Sequence, residues 1–209
     1  MPARKRTASK PRTKAAGRTA SVRRTTREVD VAVDLVLDGT GTATADTGIP
    51  FFDHMLEQLG KHAGFNLKVK ARGDLKVDAH HTVEDTGIAV GEAIAQALGD
   101  KRDIRRFGSA TIPLDEALVQ VALDLSSRPF LAHDVDAKTK TIGDFDTRLT
   151  EEFLRALCQS AGATIHVRLL AGKNPHHIVE AEFKALARAL GDATTPAPGR
   201  GVPSTKGTL

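Results

Sequence analysis

The 209-residue sequence predicts an α+β fold in which two β-β-α-β-α halves, each a sheet covered by helices on one side, form one compact two-layer domain. Three observations lead there. Segments rich in Val and Leu alternate with polar residues at the period of a half-buried strand, amphipathic helical stripes follow them, and the whole order is written twice. The spelling HHxxE marks the repeat, as HHTVE at 80–84 and HHIVE at 176–180, 96 residues apart.

Residues 27–39, REVDVAVDLVLDG, set Val29, Val31, Val33, Leu35 and Leu37 on one face of a strand. DGTGTATADTG at 38–48 supplies a turn and a short return strand. PFFDHMLEQLGKHAG then gathers Phe52, Met55, Leu56, Leu59 and Ala63 on one helical face, between Pro50 at the start and Gly64 at the end. FNLKVKARG is the next strand. The helix opened by HHTVED carries a stripe of Ile88, Gly91, Ile94, Ala95 and Leu98. Downstream, EALVQVALDLSSR at 116–128 repeats the first strand 88 residues later. EEFLRALCQSAG repeats the first helix at a spacing of 98, so that Phe153, Leu154, Leu157 and Ala161 fall on Met55, Leu56, Leu59 and Ala63. ATIHVRLLAG and NPHHIVEAEFKALARALGD complete the second copy. The halves span 25–104 and 105–209, with a turn-like junction in GDKRDIRRFG.

Residues 1–24 hold nine Lys or Arg and no acid, and taking those nine away turns the chain's net charge of +4 into −5 for the rest. This segment reads as a disordered basic arm, with nucleic-acid contact or an organellar address as lesser readings. No apolar run is long enough to span a membrane. A single Cys excludes an intrachain disulfide and a thiolate-rich zinc site, and fits a reducing, cytoplasmic setting.

The doubled HHxxE points to chemistry. At about 100° per helical residue, Glu84 projects about 40° from His80 and His81 about 100°, so the carboxylate stands between two rings that point apart. One reading is that each His-His pair serves two different cations and two such helices supply a dinuclear arrangement, and imidazole with carboxylate but no sulfur suits Mn, Fe or Zn. Glu84 also precedes Gly87 and Ile88, which extends the buried stripe, where a carboxylate is costly unless a metal compensates it. One isolated HHxxE is an ordinary helix start. Two copies in matching positions of a repeat are not. His54 adds a further donor type, and its counterpart 98 residues on is Glu152. His62, His133 and His166 have no such echo.

The motifs FFDHML, HHTVED, RFGSATIPLDEAL, DLSSRPF, NPHHIVEAEFKALARAL and PSTKG, in this order from about residue 25 onward, resemble the imidazoleglycerol-phosphate dehydratase family of histidine biosynthesis. The resemblance implies a duplicated ribosomal protein S5 domain 2-like fold and two manganese ions per active site. It further implies a homo-oligomer of cubic symmetry, a 24-mer, with sites at subunit interfaces. By motif, the metal ligands are His54, His80, His81, Glu84, His176, His177 and Glu180, joined by Glu152, where the family often has His. Gln58, Arg106, Arg128, Lys184, Ser204 and Lys206 match the positions that bind the substrate and its phosphate. Guanidinium forks, ammonium groups and a hydroxyl suit phosphate oxygens.

The reaction this implies is a hydro-lyase reaction, removing water from imidazole glycerol phosphate to leave imidazole acetol phosphate. The hydrogen lost is not acidic, so the substrate's ring, held by two metals as an imidazolate, must expel the neighbouring hydroxyl. Glu28 matches the acid/base carboxylate, and His54, His80, Glu84, His177 and Glu180 complete the catalytic set. Two other classes compete with this reading. A metal-dependent hydrolase would use the same HHxxE helices without the phosphate motifs. A nucleic-acid-binding module would act through the basic arm, but an acidic body with no Trp or Tyr offers no base-stacking surface.

Overall fold

The computed structural model describes residues 17–137 and 140–209. The first half runs β1 (Thr19–Thr25), β2 (Val29–Val36), β3 (Ala43–Asp46), α1 (Pro50–Ala63), β4 (Asn66–Gly73) and α2 (His80–Leu98). The second runs β5 (Phe107–Leu114), β6 (Ala117–Asp124), β7 (Phe130–Asp134), a hairpin of β8 (Thr141–Ile142) and β9 (Phe145–Asp146), α3 (Leu149–Ala161), β10 (Thr164–Ala171) and α4 (Pro175–Thr194). Each half builds a four-stranded sheet, in the orders β1-β2-β4-β3 and β5-β6-β10-β7.

The predicted strands form because their alternation gives each one apolar face. Val31, Val33 and Leu35 of β2 stand opposite Ala71, Val69 and Leu67 of β4, and Val121 and Leu123 of β6 opposite Val167 and Ile165 of β10. All are buried. The register is therefore duplicated along with the sequence. β3 and β7 lie parallel to β4 and β10 at the far edges.

Two corrections concern the near edges. The β-β-α-β-α unit lacks a strand, since each half opens with one more: β1 pairs antiparallel with β2 and β5 with β6. β1 overlaps the stretch read as a basic arm from Thr19 onward, so that arm does not reach residue 24 and the first half begins before residue 25. Residues 1–16 of the arm lie outside the described residues. Both strands were hidden because an edge strand buries little: β1 contributes only Val22 to the core, and β5 carries Gly108 and Pro113, which an edge tolerates.

The helices of each half cover one face of its sheet, α1 and α2 against the first and α3 and α4 against the second. The halves then meet helix to helix, α2 on α3 and α1 on α4, which stacks the two layers of one half on the two layers of the other. Close approach at this seam depends on glycine. A Cβ on Gly87 would come within 2.7 Å of the Phe153 carbonyl oxygen, and one on Gly91 within 2.6 Å of that of Leu157. At the other crossing Gly191 holds the same relation to Ala63. Phe52, Met55, Leu56 and Leu59 of α1 are buried as predicted, and so are Phe153, Leu154, Leu157 and Ala161 of α3. In α2 the predicted stripe is shifted. Ile88 and Ala95 are only half-buried, while Val83, Val90, Ala93 and Ala97 are buried, because this helix is covered on one side by the sheet and on another by α3.

Candidate active site

The ligand-type residues assemble into two half-sites that cross the seam. In one, His54 of α1 faces the start of α4: Glu180 Oε2 lies 3.2 Å from His176 Nε2 and 3.9 Å from His54 Nε2. In the other, Glu152 of α3 and His80 of α2 line one cavity of about 680 Å³, with Glu84 Oε2 3.9 Å from His80 Nε2. Each half-site thus takes one donor from the first helix of one half and two from the second helix of the other. His54, His176 and Glu180 correspond by the repeat to Glu152, His80 and Glu84.

Helix geometry keeps the adjacent rings apart. The centroids of His80 and His81 are 6.0 Å apart with ring planes 82° apart, and those of His176 and His177 are 6.1 Å apart with planes at 87°. One correction applies to Glu84. Its side chain is 45 % exposed and lies in line with His80 and half-buried Ile88, so its position carries no burial cost within the chain. Glu180, at 12 % exposure, is the more enclosed carboxylate. Burial would raise its pKa, but Lys184 Nζ at 2.8 Å reverses the shift and holds it below the ordinary range. Phe51 packs edge-on against the His176 ring at 5.1 Å and, together with Phe52, leans on buried Phe145 of β9. The hairpin of the second half thereby fixes the start of α1.

The second ring of each pair is held by a carboxylate. His81 Nδ1 lies 3.1 Å from Asp74 Oδ2 and 3.9 Å from Glu28 Oε2, and its pKa is raised, chiefly by the Asp74 hydrogen bond. His177 Nδ1 lies 2.7 Å from Glu116 Oε2 and is raised for the same reason. Glu116 also accepts from the backbone N–H groups of Asn174 and Lys173, and the three bonds, His177 first, pull its carboxyl down to about 2. Sequence reasoning missed Asp74 and Glu116, although Glu116 stands 88 residues after Glu28, the spacing of the strands each precedes.

The six residues assigned to substrate and phosphate separate into two places. Arg106, Arg128, Ser204 and Lys206 line one cavity of about 550 Å³ with Pro203, Thr205 and Thr208. Gln58 and Lys184 instead join the first half-site, where Gln58 Nε2 is 3.3 Å from His54 Nε2. Within the cavity the two arginines differ. Arg106 donates through Nε and Nη2 to both oxygens of Asp124, at 2.6 and 2.9 Å, and through Nη1 to the Pro203 carbonyl at 2.6 Å. It ties the C-terminal segment to the sheet. Arg128 is 69 % exposed and lies 3.8 Å from Asp124, which leaves its guanidinium face open.

These donors fit divalent cations in type and orientation. Where Nδ1 is engaged by a carboxylate, Nε2 is left as the ligating nitrogen, the usual arrangement behind a metal-bound imidazole. Among the described residues, no three or more His, Cys, Asp or Glu side chains converge closely enough to enclose an ion.

Comparison with known proteins identifies the family. A family model described as imidazoleglycerol-phosphate dehydratase matches residues 47–190. The chain belongs to the imidazoleglycerol-phosphate dehydratase family. It is therefore a hydro-lyase of histidine biosynthesis rather than a hydrolase. An imidazoleglycerol-phosphate dehydratase of Frankia casuarinae is 58 % identical over 193 residues, covering 92 % of this chain and 99 % of the relative. The chloroplastic imidazoleglycerol-phosphate dehydratase 1 of Arabidopsis thaliana is 50 % identical over 204 residues, 97 % of this chain and 76 % of the relative. Among solved structures, the enzyme of Pyrococcus furiosus in complex with (S)-C348 superposes with a TM-score of 0.79 at 39 % identity, over 90 % of this chain and all of that one. That of Staphylococcus aureus gives 0.77 at 37 %, over 85 % and 99 %. The duplicated α+β architecture is that of imidazoleglycerol-phosphate dehydratases. Among the described residues no helix is long and apolar enough to cross a membrane.

A further pair outside the half-sites was given no role by the sequence. His133 Nε2 of β7 lies 2.8 Å from Glu182 Oε1 of α4, and Nδ1 lies 3.6 Å from Glu151 Oε2 of α3. Both partners are enclosed, at 9 % and 1 % exposure. Burial pushes the imidazole pKa down, but Glu182 and then Glu151 more than reverse this, and the net shift is upward.

Proposed function

We propose that this chain dehydrates imidazole glycerol phosphate to imidazole acetol phosphate with two manganese ions per site, each site completed between copies of the chain. The observation that carries the reading is the pair of crossed half-sites. Each sets one imidazole and one carboxylate of a second helix beside a donor from across the seam, and among the described residues neither encloses an ion alone. A homo-oligomer, a 24-mer on the family's pattern, would join the parts. Exposed Val77, Phe107, Phe130 and Leu170 give the chain apolar surface to bury in such contacts.

His54, His80, His81, Glu84, Glu152, His176, His177 and Glu180 would hold the ions. Bound manganese would supply Lewis acidity favouring the deprotonated form of the substrate's imidazole ring. The chain's own residues do the rest. Arg128, Lys206 and Ser204 bind the phosphate, with Arg106 fixing the segment that carries Ser204 and Lys206. Glu28, 55 % exposed beside His81, takes the proton from the carbon next to the one that loses its hydroxyl. The hydroxyl takes up that proton from Glu28 and leaves as water, and the enol that remains tautomerises to the ketone. Gln58 and Lys184 orient polar groups of the substrate beside Glu180. A cytoplasmic, reducing setting accords with the free, buried thiol of Cys158.

Metal analysis of the purified protein with a direct assay for the acetol phosphate tests this. Chelation should abolish turnover and manganese restore it. Full turnover by thoroughly metal-free protein would overturn the reading.

A further inference from the structure

The repeat places one carboxylate at the head of each half's second strand: Glu28 immediately before β2 and Glu116 immediately before β6. Each faces Nδ1 of the second histidine of its own half's pair, Glu28 toward His81 and Glu116 toward His177. The two are equivalent by sequence and by location but not by engagement. Glu116 is fully committed, with Oε2 on the ring at 2.7 Å and Oε1 accepting from Asn174 at 2.7 Å and Lys173 at 3.1 Å. Glu28 is held off at 3.9 Å, beyond hydrogen-bond reach, and its carboxylate accepts no hydrogen bond among the described residues. Asp74, in the loop between β4 and α2, has taken over the ring, with its two oxygens 3.1 and 3.3 Å from His81 Nδ1.

We propose that the duplicated carboxylate has divided its duties, so that Glu116 is the positioning residue for His177, Asp74 performs that task for His81, and Glu28 is thereby released for proton transfer. An acceptor fixed on Nδ1 requires the proton there and leaves the Nε2 lone pair bare. On the far side of the His177 ring, among the described residues, Nε2 meets only Asp115 Oδ2 at 3.7 Å. The backbone bonds to residues 173 and 174 also couple this setting to the start of α4, where the Asn174 side chain accepts from the His176 N–H. Ring and helix start are aimed as one unit. At Nδ1 of His177 no second carboxylate stands beside Glu116 among the described residues, and Asp115 lies instead on the Nε2 side, where a metal would bind, so proton transfer falls to Glu28, the first half's member of the pair. The proposal rests on His81 and His177 being metal ligands, as argued above.

The substitution Glu116→Gln leaves an amide oxygen for the two backbone donors and turns an NH₂ group toward Nδ1. The ring must then accept there and carry its proton on Nε2, where a metal would bind. The test is performed on the full chain labelled with ¹⁵N at histidine. Ring-nitrogen shifts are read in metal-free protein at a pH where the rings are neutral, and manganese affinity is measured by paramagnetic-resonance titration. In the wild type, His81 and His177 should show the Nδ1–H tautomer. Glu116→Gln should convert His177 alone to Nε2–H and weaken manganese binding by about 10- to 100-fold. Asp74→Asn should do the same through His81, while Glu28→Gln should abolish turnover with both tautomers and the manganese affinity unchanged. Glu116→Ala, which removes the acceptor without imposing a donor, should lose the tautomer preference. An unchanged His177 tautomer in both Glu116 variants overturns the proposal, as does a Glu28→Gln variant that weakens metal binding as much as Asp74→Asn. The tautomer is read without metal, so a wild type that bound no manganese would overturn the assigned function while this readout still decided the positioning.

Discussion

The His133–Glu182 pair allows a quantitative test of how the interior beside α4 is held. Replacing His133 by Phe keeps a ring of similar size but leaves the Glu182 carboxylate, 1 % exposed, without its donor. Orphaning one member of a buried pair costs about 3–5 kcal/mol. Glu182→Leu is the milder change, because the remaining imidazole can shed its proton, and the loss is that of one charge-assisted bond, about 1.5–3 kcal/mol. The double variant removes both polar groups and should return to the wild-type stability or exceed it by about 1–4 kcal/mol. For a chain of this length each kcal/mol moves the Tm by about 2–4 °C. The pair also carries a pH signature. The folded His133 pKa is raised above its ordinary value of about 6.5, so the pair's stabilisation is fully present below about 6.5 and is lost as pH rises through the higher folded pKa. Urea denaturation of the four proteins at pH 6 and at pH 9 closes the cycle. The coupling should be large at the lower pH and smaller at the higher. A His133→Phe variant as stable as wild type, a double variant no better than that single one, or a pH-independent coupling would each refute the reasoning.

Gly91→Ala should lower the Tm, because its Cβ would meet the Leu157 carbonyl at 2.6 Å and the Ala161 nitrogen at 3.0 Å, backbone atoms that cannot yield cheaply. Overpacking of about 1–3 kcal/mol outweighs the roughly 1 kcal/mol gained in helix propensity, and displacement of α3 should cost activity by moving Glu152 away from His80. Truncation that removes residues 1–24 takes β1 from its sheet and should destabilise the fold by thermal melt, whereas truncation ending before Gly17 leaves every described contact in place. Arg128→Ala should raise the KM for the phosphorylated substrate with the Tm little changed. Arg106→Ala should lower the Tm as well, since it strands Asp124 and frees the C-terminal segment, and steady-state kinetics beside a melt separates the two.

What the sequence disclosed follows from where periodicity acts. Strands β2, β4, β6 and β10 lie in the middle of their sheets, bury most of one face, and so spell themselves in alternating apolar residues, chiefly Val and Leu. The edge strands β1 and β5 bury too little to leave such a pattern, and β1 was further masked by its arginines. The helices and the doubled HHxxE were legible because both repeat. The echo of His54 in Glu152 anticipated that first and second helices cooperate, but not that they do so across the seam. Glu84 was misjudged because the stripe of α2 is set by two neighbours at once, the sheet and α3, and a single-face wheel cannot represent both. Asp74 and Glu116 are ordinary loop carboxylates until the fold brings a ring to them. Glu182 did leave a trace, being a charge between Val179 and Phe183 on an apolar face, yet its partner is 49 residues away in sequence, with no periodic link.

The glycine notches of α2 distinguish the two halves at their seam. At the positions of α4 that answer to Gly87 and Gly91 stand Phe183 and Ala187, and Phe183 is spent stacking on Phe153 at 5.3 Å. Two first halves joined by the same crossings would set α2 against α1 at both seams, with no phenyl at the place of Phe183. The halves share one plan, yet their mating surfaces are not interchangeable.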